Sequence, residues 1–343
     1  MSIIDRDVDL ELTAAAAPAA DAAPSRRPPV MRTVHDRSQS AARARLRRLR
    51  AVVLLDGSVR KTALSDAIGR SLLELPVEHG RNLFDLWRSD VRALILELGL
   101  DTLPTRVIVG QTSVPPVVRE QDRAACVTVE PDPSELRGTG GVLRDLAADF
   151  EDDDLLLVAN AAQVLVEPLA RIALSAAERG GDVTIVANED GTPASVALVS
   201  RRALRELPPV GFIDLKEQGL PLMARRHDVR VQYRARPAGL PIRTPQDYLA
   251  ALKAYHRMQA GEPPHNAPFS ERWRRRFAVA EPGATVADDA ELHNTVVLRG
   301  GRVESGALVA NSIVCAGGIV RRHEQVIERL VEASGRKPVK QNC

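Results

Sequence analysis

The sequence predicts an α/β protein: a mostly parallel sheet flanked by helices, followed by a smaller coil of short strands. Three observations carry this. Apolar runs of strand length recur at 51–55, 106–110, 125–129, 154–159, 182–187, 195–200 and 228–233. Helical patterns with recognisable caps lie between several of them. Beyond Val279, single aliphatic residues return near every sixth position among glycines and alanines.

The strand runs are almost continuously aliphatic, which fits strands covered on both faces and hence a mostly parallel sheet. After Asn82, a plausible N-cap, Leu83, Trp87, Val91, Leu94 and Leu98 recur at helix spacing, and Gly99 supplies a stop. Pro168 introduces a second helix with Leu169, Ile172, Ala173 and Ala176 on one face, ended by Gly180 and Gly181. A closing helix spans 244–258, with Thr244 as N-cap and Pro245 in its first turn.

At 343 residues the chain exceeds a typical domain of ~100–200 residues, so more than one unit is expected. Residues 1–48 are rich in Ala, Pro and charge and read as a disordered N-terminal segment. Overlapping their end, the basic stretch 41–50, rich in helix formers, reads as a solvated lead-in to the first strand in preference to a contact for an acidic surface or nucleic acid. The α/β domain spans 49–259. A Pro-rich linker, 260–278, contains the basic patch 270–277, which suits a solvated linker better than an RNA contact. The repeat region is 279–334 and the tail 335–343.

Composition removes several function classes. A net charge of +2 creates no global field for nucleic acid. Cys126, Cys315 and Cys343 are far apart and odd in number, fitting neither a disulfide framework nor a zinc site and favouring a reducing compartment. The histidines show no metal-ligand spacing. No apolar run approaches ~18 residues. The acidic start, with Asp5, Asp7, Asp9 and Glu11, lacks the order of a signal peptide. The chain therefore reads as cytoplasmic, with no membrane partner. The acidic run Glu151–Asp154 could bind a cation, but a solvated turn before a strand is the simpler reading.

In the repeat region Val286, Leu292 and Leu298, then Val303 and Val309, then Val314 and Val320 are six apart. One inward aliphatic per hexad with small neighbours at the corners is the signature of a hexapeptide β-helix. Residues 323–333 read as a short helix covering the open end of the coil. Val297, Leu308 and Ile313 are expected to point outward, where a second copy could cover them.

The order of parts and several motifs resemble the sugar-nucleotide pyrophosphorylases, or NDP-sugar nucleotidyltransferases, which include the mannose-1-phosphate guanylyltransferases. The likeness covers residues 51–332. That family's first strand leads into G-G-x-G-T-R-L-x-P-L-T and then Lys-Pro-Leu-Leu. Here Leu55, Asp56, Gly57, Ser58, Val59 and Arg60 occupy the loop, and Arg70, Ser71, Leu72 and Leu73 match the second segment. The stretch 136–146 resembles the G-T-A-G-A-L segment that faces base and sugar. The stretch 211–251 resembles the family's late segment, including its T-P-x-D-Y helix. The resemblance implies a Rossmann-like nucleotidyltransferase domain followed by a left-handed β-helix. It implies nucleotidyl transfer from an NTP to a sugar 1-phosphate, with magnesium as cofactor. Arg60 and Arg70 are the catalytic candidates. Gly57, Ser58, Gly138, Thr139, Gly140, Gly141, Asp214 and Lys216 are the substrate-binding candidates.

The sequence departs from that pattern where chemistry is concentrated. The loop glycines that let backbone N–H groups approach a triphosphate are replaced, and Asp56 would set a carboxylate against phosphate. Asn160 and Ala161 stand where the family carries a Gly-Asp metal ligand. Pro241, Ile242 and Arg243 offer no second aspartate, so no metal ligand is assigned. Three functions remain open. The first is a divergent nucleotidyltransferase. The second is a non-catalytic sugar-nucleotide sensor or regulatory subunit of an active pyrophosphorylase. The third is a hexapeptide acyltransferase. The implied partners are a nucleotide or sugar nucleotide, and either a second copy through the coil or an active relative.

Overall fold

The computed structural model describes residues 30–56, 63–111, 113–118, 124–132, 137–189, 191, 193–260 and 277–333. The chain runs through α1 (Val30–Leu46), β1 (Leu49–Asp56) and α2 (Ala63–Ile68). A small ribbon, β2 (Pro76–Glu78) and β3 (Arg81–Asn82), leads into α3 (Leu83–Leu98), β4 (Thr105–Val109) and β5 (Val127–Pro131). Then come α4 (Gly138–Leu146), β6 (Leu155–Asn160), β7 (Gln163–Leu165), α5 (Leu169–Arg179), β8 (Val183–Asn188) and β9 (Pro193–Ser200). The domain closes with α6 (Arg201–Leu204), α7 (Leu220–Met223), β10 (Val229–Arg234), β11 (Gly239–Pro241) and α8 (Pro245–Gln259).

Seven strands form the central sheet in the order β10-β8-β9-β6-β1-β4-β5. All neighbours are parallel except β9, which is antiparallel to both β6 and β8. A short connection joins β8 to β9, and only an antiparallel pair can be closed that way. The aliphatic runs are explained by the two faces. Val52, Leu54, Leu155 and Leu157 pack on one side with Trp87, Ile172 and Tyr248. Ala51, Val53, Leu156 and Val158 pack on the other with Val142, Leu143 and Met223. The arrangement is Rossmann-like: helices on both faces of a mostly parallel sheet.

The cap expectations hold in detail. Asn82 accepts from the Asp85 N–H while Asp85 accepts from the Asn82 N–H, and Gly99 closes α3 at φ 62°. Thr244 and Asp247 form the same reciprocal box at the start of α8. The N-terminal segment is a correction. Residues 30–46, expected within disorder, form α1. Ala42 and Leu46 are buried, α1 packs on α5, and Arg43 pairs with Glu97 at 2.7 Å. Residues 1–29 lie outside the described residues, as do 261–276, with most of the linker and its basic patch, and the tail. Among the described residues no helix is long and apolar enough to cross a membrane.

After residue 277 the strands rotate among three parallel sheets. The first contains β12 (Ala278–Ala280), β15 (Thr295–Val297), β18 (Ile313–Val314) and β21 (Leu330–Val331). The second contains β13 (Thr285–Val286), β16 (Arg302–Val303) and β19 (Ile319–Val320). The third contains β14 (Glu291–His293), β17 (Leu308–Ala310) and β20 (Gln325–Ile327). Every paired residue is 17 positions from its partner, as in Val296↔Ile313, Val303↔Val320 and Val309↔Val326. The corners share that period: Gly283, Gly300 and Gly317 have positive φ, and so do Asn294, Asn311 and Glu328.

A turn of 17 residues corrects the hexad reading. The interior carries Val286, Leu292, Val297, Val303, Val309, Val314, Val320, Val326 and Val331. The steps are six, six and five. Val297, not Leu298, is therefore the inward residue. Val296, Leu298, Ile313 and Cys315 join the core of the α/β domain, with Phe277 and Val279. Of the three residues expected to face a second copy, Val297 lies in the coil interior, Ile313 joins the core of the α/β domain and Leu308 is half-buried, while Ile319 and Ile327 stay exposed. The expected helix at 323–333 is absent as well. Val326 and Val331 continue the interior stripe, so tertiary packing overrides the helix-forming composition of that segment.

Candidate ligand-binding crevice

In an open α/β sheet, ligands bind outside the carboxyl ends of the strands, where successive connections leave in opposite directions. From β1 the chain moves on to β4 on one side. From β6 it moves on to β8 and β9 on the other. The topology therefore puts the expected ligand position outside the ends of β1 and β6, at Asp56 and Asn160.

Asp56 is 5% exposed, and its Oδ2 accepts from Ser71 Oγ at 2.5 Å. Burial pushes the Asp56 carboxyl up to about 6, against the pull of the Ser71 hydrogen bond and with a further push from Glu74. The same Ser71 Oγ accepts from the Leu73 N–H at 3.1 Å, fixing the chain that returns past the crevice. Gly57, Ser58 and Arg60 lie outside the described residues.

Arg70 pairs with a carboxylate of the strand stack. Its two terminal nitrogens donate to both carboxylate oxygens of Glu281 at 2.8 and 2.6 Å. Glu281 is itself buried and accepts from the Arg299 N–H at 2.8 Å. Burial pushes the Glu281 carboxyl up, but the Arg70 fork and the Arg299 N–H outweigh it and hold it below its ordinary value. The guanidinium expected to serve catalysis is thus engaged by Glu281. The arginine fixes the strand stack to the α/β domain, because a bidentate fork satisfies a buried carboxylate better than water-exposed groups could.

Ala161, at the resemblance's metal position, is fully buried. Its N–H donates to the Leu55 carbonyl at 2.9 Å, and its carbonyl accepts from Trp87 Nε1 at 2.9 Å. Asn160 turns its Oδ1 back to the Ala162 N–H at 2.9 Å. Ile242 is buried, and its N–H donates to the Ala162 carbonyl at 2.8 Å. Among the described residues no cluster of His, Cys, Asp and Glu could hold a metal ion. The donor set does not fit magnesium, which needs oxygen ligands.

The remaining substrate candidates do come together, but on one another. The Gly140 N–H donates to the Ile213 carbonyl, and the Ile213 N–H donates to the Arg137 carbonyl, each at 2.9 Å. Thr139 Oγ1 accepts from the Leu215 N–H at 3.0 Å. Gly138 has φ +65°, and a Cβ there would stand 2.5 Å from the Ile213 carbonyl oxygen. At Gly141 a Cβ would meet the Arg137 guanidinium at 3.0 Å. These glycines serve a close crossing of two chain segments. Asp214 Oδ1 accepts from the Lys216 and Glu217 N–H groups at 2.8 and 2.9 Å, capping the next helical turn, and Lys216 is exposed.

Sequence reasoning gave no role at the site to Ser71, Trp87 or Glu281. Ser71 sat inside the matched Arg-Ser-Leu-Leu segment. Glu281 had no local signal, since its role exists only across the junction. The histidines of the stack do not converge. His293 Nε2 stands 3.5 Å from Glu291, while His323 lies over Gly306.

No protein-family model and no curated protein matches this chain. Among solved structures, HddC from Yersinia pseudotuberculosis complexed with GMP-PN is 14% identical with a TM-score of 0.45, over 60% of this chain and 100% of that one. A second HddC structure is 13% identical with a TM-score of 0.44, over 60% and 100%. A homologue of Mycobacterium tuberculosis rv0371c, from Mycobacterium sp. strain JC1, is 18% identical with a TM-score of 0.41, over 61% and 100%.

Proposed function

We propose that this protein binds a nucleotide or sugar nucleotide in the crevice between β1 and β6 without nucleotidyl transfer. It acts as a sensor or as a regulatory partner of an active pyrophosphorylase. The observation that carries this is Ala161: buried, with its N–H and its carbonyl both hydrogen-bonded, at the position where the sequence resemblance places a metal-binding carboxylate. Nucleotidyl transfer depends on positioning and on neutralising phosphate charge. A buried Asp56 in place of a loop glycine opposes that neutralisation.

In this reading Arg60, with Gly57 and Ser58, is the contact for phosphate, and the strand stack is a short left-handed β-helix. Arg70 has no part in binding. A thermal-shift panel of nucleoside triphosphates and sugar nucleotides, with and without magnesium, tests it. The expected result is a shift with a sugar nucleotide that does not depend on magnesium and weakens by ~1–3 kcal/mol in Arg60→Ala. No shift with any member of the panel overturns the reading.

A further inference from the structure

A groove of about 460 Å³ opens at the opposite, amino-terminal end of the sheet, lined by Arg45, Arg48, Arg202, Asp153, Asp182 and Asp228 among others. Its walls come from α1, the start of β6 and β8, and the residues after β9.

The acids of this groove are each already met by a cation. Asp153 takes both Arg48, at 2.9 Å, and Arg202. Asp182 has Arg202 at 3.4 Å and His227 at 3.4 Å. Asp228 is bonded to Arg230 at 2.5 Å. Arg45 differs. Its guanidinium donates to the carbonyls of Ala177, at 3.3 Å, and Gly181, at the end of α5. No carboxylate among the described residues lies within ion-pair distance of it. Counting Arg230 behind the wall, four guanidiniums face three carboxylates, and the surplus charge rests on the half-buried Arg45. Burial pushes its guanidinium below its ordinary value; Asp182 and Asp228 pull the other way, and Arg230 and Arg202 add to the push.

We propose that this groove is a second ligand site, which takes a small oxyanion, a phosphate or carboxylate group, on Arg45 and Arg48. A planar guanidinium that already holds carbonyls with part of its fork keeps directional donors for such a group. The groove can hold a small phosphorylated or carboxylated metabolite. Because Arg45 belongs to α1 and the opposite wall to the sheet, the ligand would tie α1 down. The site lies at the other end of the strands from the crevice, and its occupancy does not depend on how the crevice is used.

The test is thermal unfolding of the full chain titrated with inorganic phosphate, and separately with citrate, at ionic strength held constant with chloride. The expected result is a saturable rise in Tm with at least one probe. Arg45→Met and Arg48→Met should each raise the concentration needed by on the order of tenfold. Arg48 is half-exposed, so its variant keeps the test usable if Arg45→Met does not fold. A response to phosphate alone or to citrate alone assigns the oxyanion class. No saturable rise with either probe overturns the proposal, and so does an unchanged response in the variants that fold.

Discussion

Arginine meets carboxylate in two settings in this molecule, and the difference between them is water. At the amino-terminal end of the sheet, Arg205 and Asp152 pair at 2.9 Å with side chains 58% and 53% exposed. At the junction of the α/β domain and the strand stack, Arg70 and Glu281 pair at 2.6 Å with side chains 17% and 6% exposed. Exposed pairs gain little over hydrated ions. A buried pair is costly to assemble, yet far more costly to break, because the remaining charge stays buried and unmatched. The junction therefore carries a two-way dependence that the amino-end network lacks. Asp56 is a third case, a buried carboxylate with a hydroxyl partner in place of a cation.

The largest effect should come from cutting the junction pair. Glu281→Ala leaves the Arg70 guanidinium buried without its partner and should cost about 3–5 kcal/mol in denaturant unfolding. The double variant Arg70→Met, Glu281→Leu should recover most of that loss. A double variant as unstable as the single one would mean that the pair is not what makes the junction costly to cut.

Next comes Asp56. Its folded-state pKa of about 6 lies above that of an unfolded aspartate, so the fold holds the proton more tightly. The stability contributed by the protonated group is complete below pH ~4 and is lost as pH rises to ~6. Asp56→Asn should therefore be more stable than wild type by about 2–3 kcal/mol at pH 7.5 and equal to it near pH 4. A variant less stable at both pH values would contradict the burial-driven shift. The smallest effect belongs to the exposed network: Arg205→Met should change stability by no more than ~0.5 kcal/mol, and less at high salt. A larger loss would make the amino end resemble the junction.

Much of the α/β domain was legible because local chemistry and global fold agree there. Asn82, Gly99 and Thr244 announce helix ends through hydrogen-bonding and φ preferences that need no tertiary context. The buried strands declare themselves by aliphatic runs. The stack was legible as a repeat, but its period was not. Leu298 and Val297 are equally good interior residues in sequence, and only the parallel pairing at 17 residues selects Val297. Helix-forming residues at 323–333 were outvoted by Val326 and Val331 in the interior stripe. At the ends of β1 and β6, Asn160 and Ala161 were visible in sequence where the resemblance expects Gly-Asp. The pairing of Arg70 was not, because Glu281 lies 211 residues away. The glycines of 138–141 suggested room for a base, whereas their lack of a Cβ admits the Ile213 backbone.

The central claim is binding without transfer, and pyrophosphate release measures it most directly. Full-length protein would be incubated with each nucleoside triphosphate, magnesium and a panel of sugar 1-phosphates, at concentrations covering any ligand found by thermal shift. The expected result is no release above the protein-free control, alongside a saturable thermal shift with a sugar nucleotide. Release that depends on both substrates and disappears in Arg60→Ala would contradict the claim and make the protein a nucleotidyltransferase that does not use position 161 for its metal.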